Sequence, residues 1–170
     1  AFTEIFLDDV RVPADCRVGE ENAAWTMMAE ALADERHVHF GPGRVRGDFR
    51  IVVDWAARTG LDRRPEIRRA LADLAVEVLE AEAQALRLLH VTVAGGDAAV
   101  EAAANKVTHT RVLQSIARTA MAFGGPEGLL EDAGIELLWR QTMTESIGGG
   151  TTEIMQGIIA RQALGLGAKV

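Results

Sequence analysis

The chain has 170 residues, nearly half of them apolar, enough to bury a real core in one domain. A formal net charge of -7 argues against nucleic acid or anionic membrane as the main partner. The single cysteine, Cys16, leaves no internal disulfide and no cysteine metal site, and no apolar run approaches membrane length, so the cytosol is the natural expectation.

In chain order, "FTEIFLDDVRVP" alternates like a short β-strand ending at Pro13. The period then changes to that of a helix. From about residue 22 to 58, Trp25, Met28, Leu32, Phe49, Val52 and Val53 recur at helical spacing, with a kink or short break expected at Gly41–Gly43 around Pro42. "GLDRRPE" is a connection whose Pro65 suits a first helical turn, so the next helix should run from Pro65 to Val93 and stop at Gly95-Gly96. Asp97 can cap a third helix to about Phe123, which "GGPEG" ends. Shorter helices are expected over 131–145 and 152–164, separated by the glycines of "SIGGGTTE". Long helices joined by short glycine stops predict an all-α protein, an up-down four-helix bundle with a short N-terminal strand.

Several motifs fail. Asp34-x-x-His37 has the spacing of a di-iron pair, but the second pair is missing because Arg87 and Lys106 precede His90 and His109 by three residues. "GPGRVRG" has the wrong spacing for a dinucleotide loop, and no Walker loop or nucleophile elbow occurs. No metal site is expected. Lys106 and Lys169 are the only lysines among 18 basic residues; such an arginine excess suits anion recognition or simply a GC-rich gene.

One pattern covers nearly the whole chain. "FTEIFLDDVRVPADCRVGEENAAWTMMAEALADERHV", "TAMAFGGPEGLL" and "SIGGGTTEIMQGIIARQALGLG" stand in the order and at the spacing of the acyl-CoA dehydrogenases. The chain resembles the C-terminal helical domain of that family, entered from the last strand of its middle β-domain. The resemblance implies residues 1–20 as terminal strand and linker and 21–170 as the helical bundle. It also implies FAD, an acyl-CoA substrate, an electron-transfer acceptor, and a homodimer or tetramer, homomeric or heteromeric. The opening "AFTEIF", with no Met, reads as mid-structure, so a longer protein is expected.

The implied chemistry is α,β-dehydrogenation: a carboxylate takes the α-proton while the β-hydrogen leaves as hydride. Hydrogen bonds to the thioester oxygen stabilise the enolate charge as it develops. Gly149 stands where many members carry the base glutamate; it has no carboxylate, but its main-chain N–H can still donate to that oxygen. A second family arrangement, in isovaleryl-CoA dehydrogenase, places the base on the first bundle helix. "LADER" supplies Glu35 there, followed by Arg36 on the substrate side. The bland alternative for Glu35 is a surface pair with His39.

Thr151 and Glu153 match positions that contact FAD, at a helix start that favours phosphate; helix capping would place them there equally. Gly124 and Gly125 match a turn that reaches the FAD of a neighbouring subunit, or are a plain helix stop. Met121 stands where the family often has Gln and so lacks its amide. Arg58 matches a pyrophosphate arginine, with Arg63 and Arg64 equally eligible. Four readings follow: a catalytic acyl-CoA dehydrogenase domain with Glu35 as base, a non-catalytic or half-site subunit of the same fold, a helical assembly module without chemistry, and a flavin monooxygenase or alkylation-response relative.

Overall fold

A computed structural model describes residues 3–28, 31, 40–130 and 134–167. Five α-helices follow one another after residue 41: α1 Pro42–Thr59, α2 Pro65–Val93, α3 Ala99–Gly124, α4 Ile135–Glu145 and α5 Thr152–Gln162. Residues 24–28 are also helical. The fold is therefore all-α.

The expected N-terminal strand is absent. Residues 3–13 form no regular structure, and there is no strand among the described residues. A strand exists only when its N–H and C=O groups meet a neighbour's, and nothing described offers that ladder. The side chains that gave the alternating pattern, Ile5, Phe6, Leu7, Val10 and Val12, all stand exposed.

Local chemistry sets the helix ends. Pro42 and Pro65 occupy first turns, where the missing N–H costs nothing. The break expected at Gly41–Gly43 is the start of α1, with Gly41 as its N-cap. Gly60, at φ 72°, ends α1 in the left-handed conformation. The Asp97 carboxylate accepts from the Ala99 N–H at 3.0 Å, while the helix's N-cap position falls one residue later, at Ala98. Thr151 caps α5, its hydroxyl accepting from the Ile154 N–H at 3.3 Å.

The central helix is α3, which packs against all four of the others. Its alanines, Ala102, Ala103, Ala117 and Ala120, are buried and leave room for close approach. Between them Val112, Leu113 and Ile116 meet Val52 and Trp55 of α1, Leu74 and Val78 of α2, and Leu138 of α4. On its other face α2 exposes Val76, Leu79, Leu86, Leu89 and Val93. Among the described residues no helix is long and apolar enough to cross a membrane.

Candidate active site

The glycine run after α4 forms a tight turn. The Gly148 N–H donates to the Thr144 carbonyl at 2.8 Å, and the Thr152 N–H to the Ser146 carbonyl at 3.2 Å. Within the loop so closed, Gly149 and Gly150 take φ of 70° and 99°, where a side chain is strained. Gly149 also lies close to Phe40. A Cβ at Gly149 would stand 2.7 Å and 3.0 Å from two carbons of the Phe40 ring. A side chain at Gly149, where the resemblance expects the base, would be strained in the backbone and would require the Phe40 ring to shift.

Beneath this turn lies a polar cluster that sequence reasoning missed. Arg44, in the first turn of α1, pairs with the nearly buried Glu145 at 2.6 Å. The Thr110 hydroxyl donates to the Glu145 carbonyl at 3.1 Å, and the Lys106 ammonium to the Ser146 carbonyl at 3.4 Å. Asn105 donates from its amide to the Phe40 carbonyl at 3.1 Å, while His109 Nδ1 faces the Asn105 carbonyl at 3.1 Å. The His109 ring meets Phe40 edge-on, with centroids 6.4 Å apart. Asn105, Lys106, His109 and Thr110 thus form one buried polar stretch of α3. The available signal was slight: a lysine inside an alanine-rich helix, in a chain whose only other lysine is Lys169.

The field in the cluster is mixed. Burial pushes the Lys106 ammonium below its usual pKa, opposed by the carboxylates of Glu145 and Glu153. Burial likewise lowers the His109 imidazole, against the pull of the Asn105 and Gly41 carbonyls. Asp48 is raised, chiefly by burial, with Arg44 opposing and Glu145 adding to the rise. Hydrogen bonds to its own backbone N–H and to Thr151 hold the exposed Glu153 below the ordinary carboxylate range.

The other sequence-predicted residues lie elsewhere. Arg58 stands exposed at the end of α1, and Met121 half-buried in the last turn of α3. At the end of α3, Gly124 is buried, and a Cβ there would lie 2.8 Å from Ile135 Cδ1 and 3.5 Å from the Trp55 ring. Close packing therefore already favours a glycine here, since a side chain would displace the end of Ile135. Gly125, with φ 54° and ψ -149°, holds a conformation that other residues avoid. Trp55, Thr59, Leu61, Phe123, Gly124 and Glu127 line a recess of about 240 Å³ at this end. Lys106 and Gly124 are 18 residues apart on one helix, so at 1.5 Å per residue the two groups are separated by about 27 Å. The structure thus brings Gly149, Thr151 and Glu153 together at one end, and Arg58, Gly124 and Gly125 at the other. Glu35 and Arg36 lie outside the described residues.

An all-α bundle with a glycine turn over a buried ion cluster at one end and an aromatic-lined recess at the other defines a helical domain with two separate candidate binding ends. Residues 22–164 match the family described as acyl-CoA dehydrogenase, C-terminal domain, and the chain belongs to that family. It is 32% identical over 181 residues to acyl-CoA dehydrogenase FadE26 of Mycobacterium tuberculosis, covering 95% of this chain and 44% of that protein. The chain therefore spans less than half the length of this curated relative. Among solved structures it is similar to the Tcur3481-Tcur3483 steroid ACAD, at 25% identity and a TM-score of 0.84, over 96% of this chain and 45% of that one. PigA with FAD and proline shares the fold at 18% identity and a TM-score of 0.81, over 94% and 43% of the two chains.

The family is one of flavin-dependent oxidoreductases. The residues present fit such a cofactor at the Gly124 end. The recess there has aromatic walls for a flat ring, and the neighbouring Arg58 makes no ion pair among the described residues, leaving a cation for phosphate. Met121 can add only an apolar contact.

Proposed function

We propose that the chain is the C-terminal domain of a FAD-dependent acyl-CoA dehydrogenase that oxidises an acyl-CoA thioester to its α,β-unsaturated product, with Glu35 as base. Family membership supports the reaction class, and the contact between Gly149 and Phe40 carries the choice of base. Gly149 supplies no carboxylate, so in this reading the proton acceptor comes from another segment. Phe40 lies five residues after Glu35, so even a fully extended chain keeps their Cα atoms within about 18 Å. That bound allows a glutamate on that segment to approach the turn.

In this reading the Glu35 carboxylate removes the α-proton. A main-chain N–H of the glycine turn donates to the thioester oxygen as negative charge gathers there. Arg36 holds the substrate beside it. FAD held by this fold would supply the acceptor for the β-hydrogen and its electron pair. Thr151 and Glu153 serve the flavin of the same subunit. Arg58, Met121, Gly124 and Gly125, about 27 Å away along α3, serve that of a neighbour. That division requires a dimer or tetramer, and the exposed apolar side chains of α2 are consistent with assembly.

In the flavin-loaded full-length protein, Glu35→Gln should lower turnover by about 10²-fold or more while FAD remains bound. Unchanged turnover contradicts the assignment. The missing side chain at Gly149 and the missing amide at Met121 favour a second reading, a non-catalytic or half-site subunit. A wild-type protein that binds FAD yet oxidises no acyl-CoA without a second, different chain would select it.

A further inference from the structure

The outer face of α2 carries a pattern that fits a copy of itself. We propose that α2 of one chain packs antiparallel against α2 of a second copy, with Val76 facing Val93, Leu79 facing His90 and Ala83 facing Leu86 across a twofold axis between residues 84 and 85. The inference concerns assembly and stands without the proposed reaction.

The exposed side chains form a stripe. Val76, Leu79, Ala83, Leu86, His90 and Val93 follow one another in alternating steps of three and four, the spacing that keeps one seam of a helix turned toward a neighbouring helix. All six are exposed, the four large aliphatic ones by 61% to 79%. At 1.5 Å per residue the stripe is about 26 Å long. The core side of the helix is a different one, carrying Leu74, Val78, Ala81, Ala85 and Leu88. A second helix therefore docks without opening the bundle.

Size and charge select the occupant and its direction. A twofold interface requires a patch that complements itself. In the antiparallel register each small or polar layer meets a large one, Ala83 against Leu86 and His90 against Leu79. A parallel pair would stack Ala83 on Ala83 and His90 on His90, leaving a void and setting two imidazoles together. The same antiparallel register sets Glu80, which flanks the stripe, beside Arg87 of the second copy, and the twofold axis repeats that pair. Sliding by one heptad would place Glu80 against Glu80 in one direction and Arg87 against Arg87 in the other, which like-charge repulsion opposes. Both side chains are accessible, Glu80 59% and Arg87 68% exposed. Within the chain Glu80 pairs with Arg111 at 2.5 Å, and Arg87 with Glu101 at 3.3 Å. Arg111 also holds Glu77 at 3.3 Å, so it keeps a carboxylate when Glu80 turns outward. The five donors of the Arg87 guanidinium can serve Glu101 and a second carboxylate together.

The test uses the full-length protein. Glu80→Arg and Arg87→Glu each set like charges face to face twice, and each should weaken self-association about tenfold or more in sedimentation over a dilution series. The double variant E80R/R87E should recover it. Each single change also disturbs a pair within the chain and the double disturbs both, so recovery belongs only to a contact between copies. Separately, Val76→Cys combined with Val93→Cys should oxidise to a disulfide joining the two positions, located by mass spectrometry. The two lie about 26 Å apart on one helix, so that bond can only link two copies. Val76→Cys alone should form no such link. A disulfide between two copies of V76C, or a double charge variant that fails to recover, overturns the antiparallel register. A monomeric wild type, or unchanged association in both single variants with no link between 76 and 93, overturns the interface. Thiols at 76 and 93 that are shielded in a monomer give the face to another segment of the same chain, and a link formed only with a different chain gives it to that chain; either result overturns the inference.

Discussion

Gly149 is glycine for two independent reasons. Its φ of 70° lies in the left-handed region, which costs an L side chain about 1–2 kcal/mol. Its Cβ direction is also filled by the Phe40 ring. Gly149→Ala should therefore lower stability by about 2 kcal/mol or more. In the background of Phe40→Ala the penalty should shrink but not vanish, because relieving the clash leaves the backbone strain. Equal thermal midpoints for wild type and G149A would contradict this geometry. A glutamate at 149 would meet the same two obstacles, so restoring the residue that many relatives carry there should not restore a base at this place.

Among the elements, α3 carries both the centre of the core and the polar stretch that supports the turn. That combination has a pH consequence. The folded chain holds His109 neutral by burial, with its pKa below the ordinary 6.5. As pH falls through that value the unfolded chain takes up a proton that the folded chain refuses, so stability falls on the acid side of about 6.5. Thermal midpoints measured between pH 7.5 and 5.5 should decline for wild type, and His109→Gln should lose that part of the slope. An unchanged slope in the variant would show that His109 does not titrate differently on folding.

Helix placement was legible in the sequence because its signals are local. Pro65 and Gly95-Gly96 bracket α2, and Asp97, "GGPEG" and Thr151 mark other boundaries. The strand is not formed among the described residues because alternation is local, whereas a strand requires a partner. The ion cluster was hidden for a related reason. Arg44, Lys106 and Glu145 are 62 and 39 residues apart in the chain, and nothing in their neighbouring residues announces that they meet. Gly149 was legible as an anomaly, but its cause, the Phe40 ring, was not.

For the whole molecule, the proposed residues fall at two ends of the bundle about 27 Å apart along α3. A single isolated copy cannot place both groups on one small reacting centre. The proposed division, one end for the subunit's own flavin and the other for a neighbour's, turns that separation into a reason for assembly. The apolar side chains exposed along α2 and over residues 5–12 are surfaces that a larger assembly can cover. The central claim is narrower: an acid from the segment before Phe40 and the main chain of the glycine turn face the same thioester. The most direct measurement is a crystal structure of the full-length protein with FAD and a non-reactive acyl-CoA analogue. It should place the Glu35 carboxylate within about 3–3.5 Å of the substrate α-carbon, with a turn N–H donating to the thioester oxygen. A Glu35 carboxylate facing solvent, with the thioester bound away from the turn, would contradict the account.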